Sequence, residues 1–119
     1  MSTKELGRWG EKKAASYLRR KGYSILEMNY SCRFGEIDII AKKRGYVVFA
    51  EVKLRKNSNF AEAREFVTSA KQRRIISTAA IWLGENNNGL QPRFDVIEVY
   101  APEGIGGKTI INHIEDAFQ

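Results

Sequence analysis

Apolar positions near the N-terminus recur with the period of a helix. Leu6, Gly10, Ala14, Tyr17 and Leu18 fall on one face, Ser2 and Glu5 ahead of them have capping-box spacing, and Gly22 supplies a stop. This pattern predicts a helix over about 3–21. The spacing then shortens towards two, with strand-like stretches at 23–30, 36–41 and 46–54, and another at 94–100 after Pro92. Residues 56–66 lack a clean period and read as a mobile loop or irregular turn. Ser69 and Gln72 repeat the capping-box spacing, and Ile75, Ile76, Ala79, Ala80, Trp82 and Leu83 give a second helix its apolar face. That helix ends at the Asn86–Gly89 run. Three glycines within 103–108 mark a turn before a last apolar stretch at 109–114. No repeat, low-complexity tract or linker divides the chain, so one domain is expected.

Composition narrows the classes. With 119 residues, 43% of them hydrophobic and 29% charged, the chain has enough apolar material for a core and too much for intrinsic disorder. Cys32 stands alone, which excludes an internal disulfide framework. One Cys and one His are also too few for a zinc site of the usual Cys/His kind, so any metal would be held mainly by oxygen. The first residues lack an apolar signal core, and no apolar run approaches the ~18 residues of a membrane span. A cytoplasmic protein with no membrane partner is the expectation.

The formal net charge of +6 is unevenly placed. Residues 1–56 hold 14 of the 20 basic side chains and six of the 14 acidic ones, which makes that stretch +8. Residues 57–91 carry +1 and the remainder −3. This bias suits a surface that faces a polyanion, and equally a solvated basic surface with no dedicated partner.

Four of the six acids in that basic stretch are Glu11, Glu36, Asp38 and Glu51. If Arg44 and Gly45 form the turn between the second and third strands, antiparallel partners have numbers summing to 89. Asp38 then faces Glu51 and Glu36 faces Lys53. By alternation these four share one side of the hairpin, while Ile37, Ile39, Ala50 and Val52 take the other. Opposed carboxylates about 5 Å apart repel unless something lies between them, and a divalent cation is the natural occupant. Mg²⁺ and Mn²⁺ sites use one or two carboxylates with water and substrate phosphate, which this pair provides. Lys53, on the same face, could position the attacking water or neutralise charge developing on a phosphate. The plainer alternative is a charged solvent face in which Lys53 pairs with Glu36. Strands otherwise so apolar favour the site.

A helical Glu, an Asp on one strand and Glu-x-Lys on the next resemble the core of the PD-(D/E)xK nuclease superfamily, here Glu11, Asp38 and Glu51-Val52-Lys53. The whole chain, including Gly10-Glu11-Lys12-Lys13-Ala14-Ala15, Gly35-Glu36-Ile37-Asp38, Phe49-Ala50-Glu51-Val52-Lys53 and Arg93-Phe94-Asp95-Val96, resembles the YraN family of endonuclease-like bacterial proteins, which is distantly similar to archaeal Holliday junction resolvases. The resemblance implies an α/β fold with a restriction-endonuclease-like αβββαβ core, a mixed central sheet flanked by helices. It implies Mg²⁺ or Mn²⁺ on Asp38 and Glu51, the Val52 carbonyl as a third ligand, Glu11 approaching from the first helix, and Lys53 as the catalytic lysine. It also implies hydrolysis of DNA, with branched recombination or repair intermediates as substrates, and a homodimer by analogy with resolvases. Ile37 stands where the superfamily motif has Pro, and Glu36 has no place in the minimal motif; it is an extra ligand or the partner of Lys53.

For phosphate contacts, Arg33, Arg55 and Lys56 flank the acidic face. Lys71, Arg73 and Arg74 open the second helix, where the dipole favours anions, and relatives use a helical glutamine as Gln72 could be used. Trp9, Phe60, Phe66 and Trp82 could stack on bases, although such aromatics more often belong to a core or dimer face. Gly107-Lys108-Thr109 lacks the first glycine and the setting of a phosphate-binding loop, and His113 has no nucleophile motif beside it. His113 is expected in or near the last strand. Two rivals to a nuclease remain: a DNA-binding module on the same scaffold, and a protein-interaction domain.

Overall fold

The computed structural model describes residues 2–55, 67–86 and 89–119. Its elements are α1 (Thr3–Arg20), β1 (Ser24–Cys32), β2 (Gly35–Lys43), β3 (Tyr46–Arg55), α2 (Ser69–Glu85), β4 (Gln91–Tyr100) and β5 (Ile110–Phe118). The strands form one sheet in the order β1-β2-β3-β4-β5. β3 and β4 run parallel, joined through α2, while the other neighbours are antiparallel. This is the expected mixed α/β core, with β5 added beyond β4.

Local chemistry explains the boundaries. The capping box at the start of α1 is formed both ways: Glu5 N–H donates to Ser2 Oγ at 3.1 Å, and Ser2 N–H to Glu5 Oε1 at 3.2 Å. Gly22, at φ 94°, takes the left-handed turn that ends it. For α2 the cap is Thr68, one residue earlier than the spacing of Ser69 and Gln72 predicts; its hydroxyl accepts from Lys71 N–H at 3.1 Å. Pro92 lies inside β4 rather than ahead of it. It is tolerated because Gln91 N–H bonds Gly45 on the β3 side, so the missing donor of Pro92 points to the β5 side, where pairing begins only at Phe94.

Each face of the sheet carries one helix and one core layer. Ala14, Ala15 and Leu18 of α1 pack on Ile39, Ala41, Val48 and Ala50. Ile75, Ala79 and Trp82 of α2 pack on Ile40, Val47 and Phe49. Burying an aliphatic side chain of this kind contributes roughly 1.5–3 kcal/mol, so the two layers hold a helix against each face of the sheet.

Along β2 strict alternation fails at Asp38, and that place positions the site. Ile39 belongs to the α1 layer, yet Ile37, two residues away, belongs to the α2 layer. The expectation that Ile37 and Ile39 share a face is therefore wrong. On β1 the same exchange occurs opposite them: Met28 pairs with Ile39 and Tyr30 with Ile37, and the intervening Asn29 adopts φ 53°. A left-handed residue in a strand re-aims the side chains on either side of it. Asn29 and Asp38 thus sit together at the point where both strands turn over.

Candidate functional site

The antiparallel ladder of β2 and β3 follows the expected register, with Ile40 opposite Phe49 and Ile39 opposite Ala50, and it ends at the latter pair. Beyond it the Val52 N–H donates to Asp38 Oδ2 at 2.8 Å, so a side chain takes the place of a ladder carbonyl. The strands part there with Asp38 in the seam. Continuing the register puts Glu51 across from it, as the hairpin arithmetic predicts. The seam is reached from both faces of the sheet. From α1, Glu11 shares a hydrogen bond with Asp38 and accepts from Asn29 Nδ2 at 2.9 Å. From α2, Lys71 Nζ lies 2.5 Å from Glu51 Oε1, and Lys53 Nζ lies 3.5 Å from the same oxygen. Asp38, Glu51, Glu36, Lys71 and Arg74 line a cleft of about 160 Å³.

The electrostatics are unbalanced towards the acids at Asp38. Burial, then the Glu51 charge, push its carboxyl up to about 8, against the pull of the Val52 hydrogen bond. Glu11 is raised for the same reason: burial first, then Glu36, opposed by its hydrogen bond with Asp38. Burial and the neighbouring Lys71 lower the Lys53 ammonium. Burial pulls Lys71 down as well, but its bonds to Glu51 and Lys53 and the charges of Glu51 and Asp38 together outweigh that and leave it raised. Glu51 thus holds two lysines while Asp38 holds none.

Comparison with known proteins places the kinship. The family described as "Uncharacterised protein family UPF0102" matches residues 10–99. A UPF0102 protein of Clostridioides difficile is 47% identical over 119 residues, covering 99% of this chain and 100% of that one. A UPF0102 protein of Caldanaerobacter subterraneus is 45% identical over 120 residues, covering 99% and 98%, and one of Vibrio parahaemolyticus is 44% identical over 101 residues, covering 83% and 84%. The chain belongs to the UPF0102 family. This is the YraN family named by its motifs above. These names state no reaction, so the chemistry has to be read from the site.

Among the described residues of this UPF0102 protein, no three His, Cys, Asp or Glu side chains converge closely enough to cage an ion. The donor set is oxygen-only, Asp38 and Glu51 with Glu11 behind, in a cleft open to solvent. That fits Mg²⁺ or Mn²⁺ completed by water and phosphate, and not a dedicated all-protein cage.

The remaining candidates divide. Glu36 borders the cleft, but it accepts from Ser31 Oγ at 3.1 Å and does not pair with Lys53, which binds Glu51 instead. Gln72 turns away: its amide donates to the Val67 carbonyl at 2.9 Å, finishing the helix start. Arg74 lines the cleft, whereas Arg73 is exposed on α2. Arg33 stacks over Phe34 at the β1–β2 turn, and Arg55 ends β3 opposite Tyr100. Lys56, Phe60 and Phe66 lie outside the described residues. Trp82 is core, with its indole N–H on Glu27, and Trp9 packs on the α1 layer, so neither offers a face to a base.

The sequence reading missed Asn29, whose turn into the left-handed region orients Glu11. An Asn between apolar strand residues was the available signal. It also missed a second buried charge cluster, around Asp95. A larger cleft of about 940 Å³ near Lys43, Trp82 and Glu85 lies at the turn end of the hairpin, where Glu27 accepts from Trp82 and Glu85 from Tyr30. Its acids are already satisfied.

Proposed function

We propose that this UPF0102 protein is a metal-dependent endonuclease that hydrolyses phosphodiester bonds of DNA. The observation that carries the reading is the parted seam, where two acids from facing strands, half-buried Asp38 and buried Glu51, lie beside two lysines. Asp38 and Glu51 would hold Mg²⁺ or Mn²⁺, with Glu11 restraining Asp38 through their hydrogen bond. Such an ion supplies positive charge to the phosphate oxygens and makes water more acidic. The chain's own groups do the rest. Val52 N–H fixes the rotamer of Asp38. Lys53, with its ammonium lowered by burial, lies where it can neutralise charge building on the scissile phosphate and exchange a proton with the attacking water. Lys71 and Arg74 at the start of α2 offer two further cations to the flanking phosphates.

Incubation of the purified protein with Mg²⁺ or Mn²⁺ and linear, single-stranded, flapped and four-way-junction DNA tests this. Cleavage that disappears in Glu51→Gln and Lys53→Ala supports it. Failure to cut any substrate, or cutting indifferent to both changes, sinks it.

One observation favours a second reading. Lys71 forms an ion pair with Glu51, which suits a DNA-binding module that keeps the nuclease scaffold without an ion. That module would bind DNA with strong salt dependence and take up no Mn²⁺.

A further inference from the structure

Among the cations of α1 and its C-terminal cap, two are held against rings and three share a groove. Lys13 lies over the Trp9 ring at 5.6 Å and Lys21 over Tyr17 at 5.9 Å, each held against an aromatic face. Arg8, Lys12 and Arg19 are exposed and make no ion pair or ring contact with the described residues. These three, at positions i, i+4 and i+11 of the helix, line a groove of about 530 Å³ between α1 and β1, together with Glu11, Met28 and Asn29. Eleven residues separate Arg8 from Arg19, about 16 Å along a helix, or about five base-pair steps of B-form DNA.

Two details make the groove more than a solvated helix face. Glu11 is its one acid, and that carboxylate is occupied by Asn29 and Asp38 instead of by Arg8 or Lys12, which are three residues before it and one after. The cations are thus left uncompensated. Met28, 39% exposed, adds an apolar surface to the opposite wall. An uncompensated row of cations facing an apolar wall complements a strand whose phosphates lie on one side and whose sugars and bases lie on the other.

We propose that the α1–β1 groove carries one strand of the nucleic acid, with Arg8, Lys12 and Arg19 each pairing with a backbone phosphate and Met28 packing on sugar or base. None of the three was among the phosphate contacts expected from the sequence, which lie on β1–β2, β3 and α2. The path towards Asp38 and Glu51 rests on the nuclease reading, because Glu11, which lines the groove between Arg8 and Lys12, also bonds Asp38. The binding itself does not rest on it.

Fluorescence anisotropy with a labelled 20-mer, single-stranded and duplex, in EDTA and across 50–300 mM salt separates the two. The Arg8→Ala/Lys12→Ala/Arg19→Ala variant should bind duplex at least tenfold more weakly at low salt, and its salt slope should fall by about three. Lys13→Ala/Arg20→Ala/Lys21→Ala removes the same charge from another part of the helix and should lower the slope by less than about one. Arg8→Lys with Arg19→Lys keeps the charges and should keep the slope. Equal losses in both triple variants, or an unchanged slope in the first, overturn the groove whatever the cleavage assay shows. Loss of binding confined to the first, with no Mn²⁺-dependent cleavage of any DNA by the wild type, leaves the groove standing and sinks the nuclease reading alone.

Discussion

Two aspartates sit on inner strands of the same sheet, half-buried Asp38 on β2 and fully buried Asp95 on β4, and their surroundings drive them in opposite directions. Asp95 is fully buried and fully satisfied. Arg93 grips it with two bonds, Nε to Oδ1 at 2.9 Å and Nη2 to Oδ2 at 2.8 Å. Asp116 N–H donates to it at 3.0 Å, and His113 Nε2 lies 2.6 Å from Oδ2, backed by Tyr17 at His113 Nδ1. Burial raises Asp95, but the hydrogen bonds from His113 and Arg93 outweigh it and leave its carboxyl below the ordinary range. Asp38 has one backbone donor and two acids for neighbours, so desolvation and the Glu51 charge leave it at about 8. Burial of a carboxylate therefore does not mark a site by itself. What distinguishes Asp38 is charge left unbalanced beside a second acid in a cleft of about 160 Å³.

The contrast can be broken in several ways. The largest effect belongs to chemistry: Glu51→Gln or Lys53→Ala should lower metal-dependent cleavage about 10³-fold while leaving the melting temperature nearly unchanged, as read by gel assay and calorimetry. At the other aspartate the effect should be on stability alone. Asp95→Ala strands Arg93 and should cost about 3–5 kcal/mol, a fall in Tm of more than about 10 °C that added Mn²⁺ does not alter.

Asp38→Asn should do the reverse. In metal-free buffer it removes a strained ionisation and should stabilise the protein by about 2 kcal/mol near pH 8, with the gain shrinking towards pH 4. The sign follows from linkage. Because the folded Asp38 holds its proton more tightly than the unfolded chain does, wild-type stability in EDTA falls as pH rises from about 4 to about 8. Asp95 is lowered, so its contribution is present above about pH 4 and is lost as pH falls below that. Urea titrations at several pH values should therefore show a descending slope that Asp38→Asn flattens and an acid-side loss that it leaves intact. The smallest effect is at Lys71. Lys71→Met removes the ammonium that competes for Glu51 and should tighten Mn²⁺ binding by about fivefold, on the order of 1 kcal/mol for a partly exposed ion pair.

Much of this arrangement was legible in the sequence. Strand numbers summing to 89 put Asp38 opposite Glu51 because the turn at Arg44-Gly45 leaves the register little choice. The capping box at Ser2 and Glu5 was equally local. What could not be read depended on groups far apart in the chain. Ile37 changes face because Asn29, on the neighbouring strand, turns left-handed beside Asp38; a period-two pattern has no way to register a turnover shared by two strands. Gln72 has the spacing of a reaching side chain but caps its own helix, since the Val67 carbonyl is closer at hand. The Asp95 cluster draws on Tyr17, Tyr23, Arg93 and His113 from α1, the loop before β1, β4 and β5, and only the folded sheet gathers them. Arg8, Lys12 and Arg19 were visible as charges, but not as three cations gathered along one groove.

The central claim is that Asp38 and Glu51 form a divalent-cation site rather than a charged face. Isothermal titration of Mn²⁺ into wild type and Asp38→Asn at pH 7.5 tests it most directly. The account predicts saturable binding to the wild type, proton release as Asp38 ionises, and loss of both in the variant. No saturable heat with the wild type, or the same isotherm for both proteins, would contradict it.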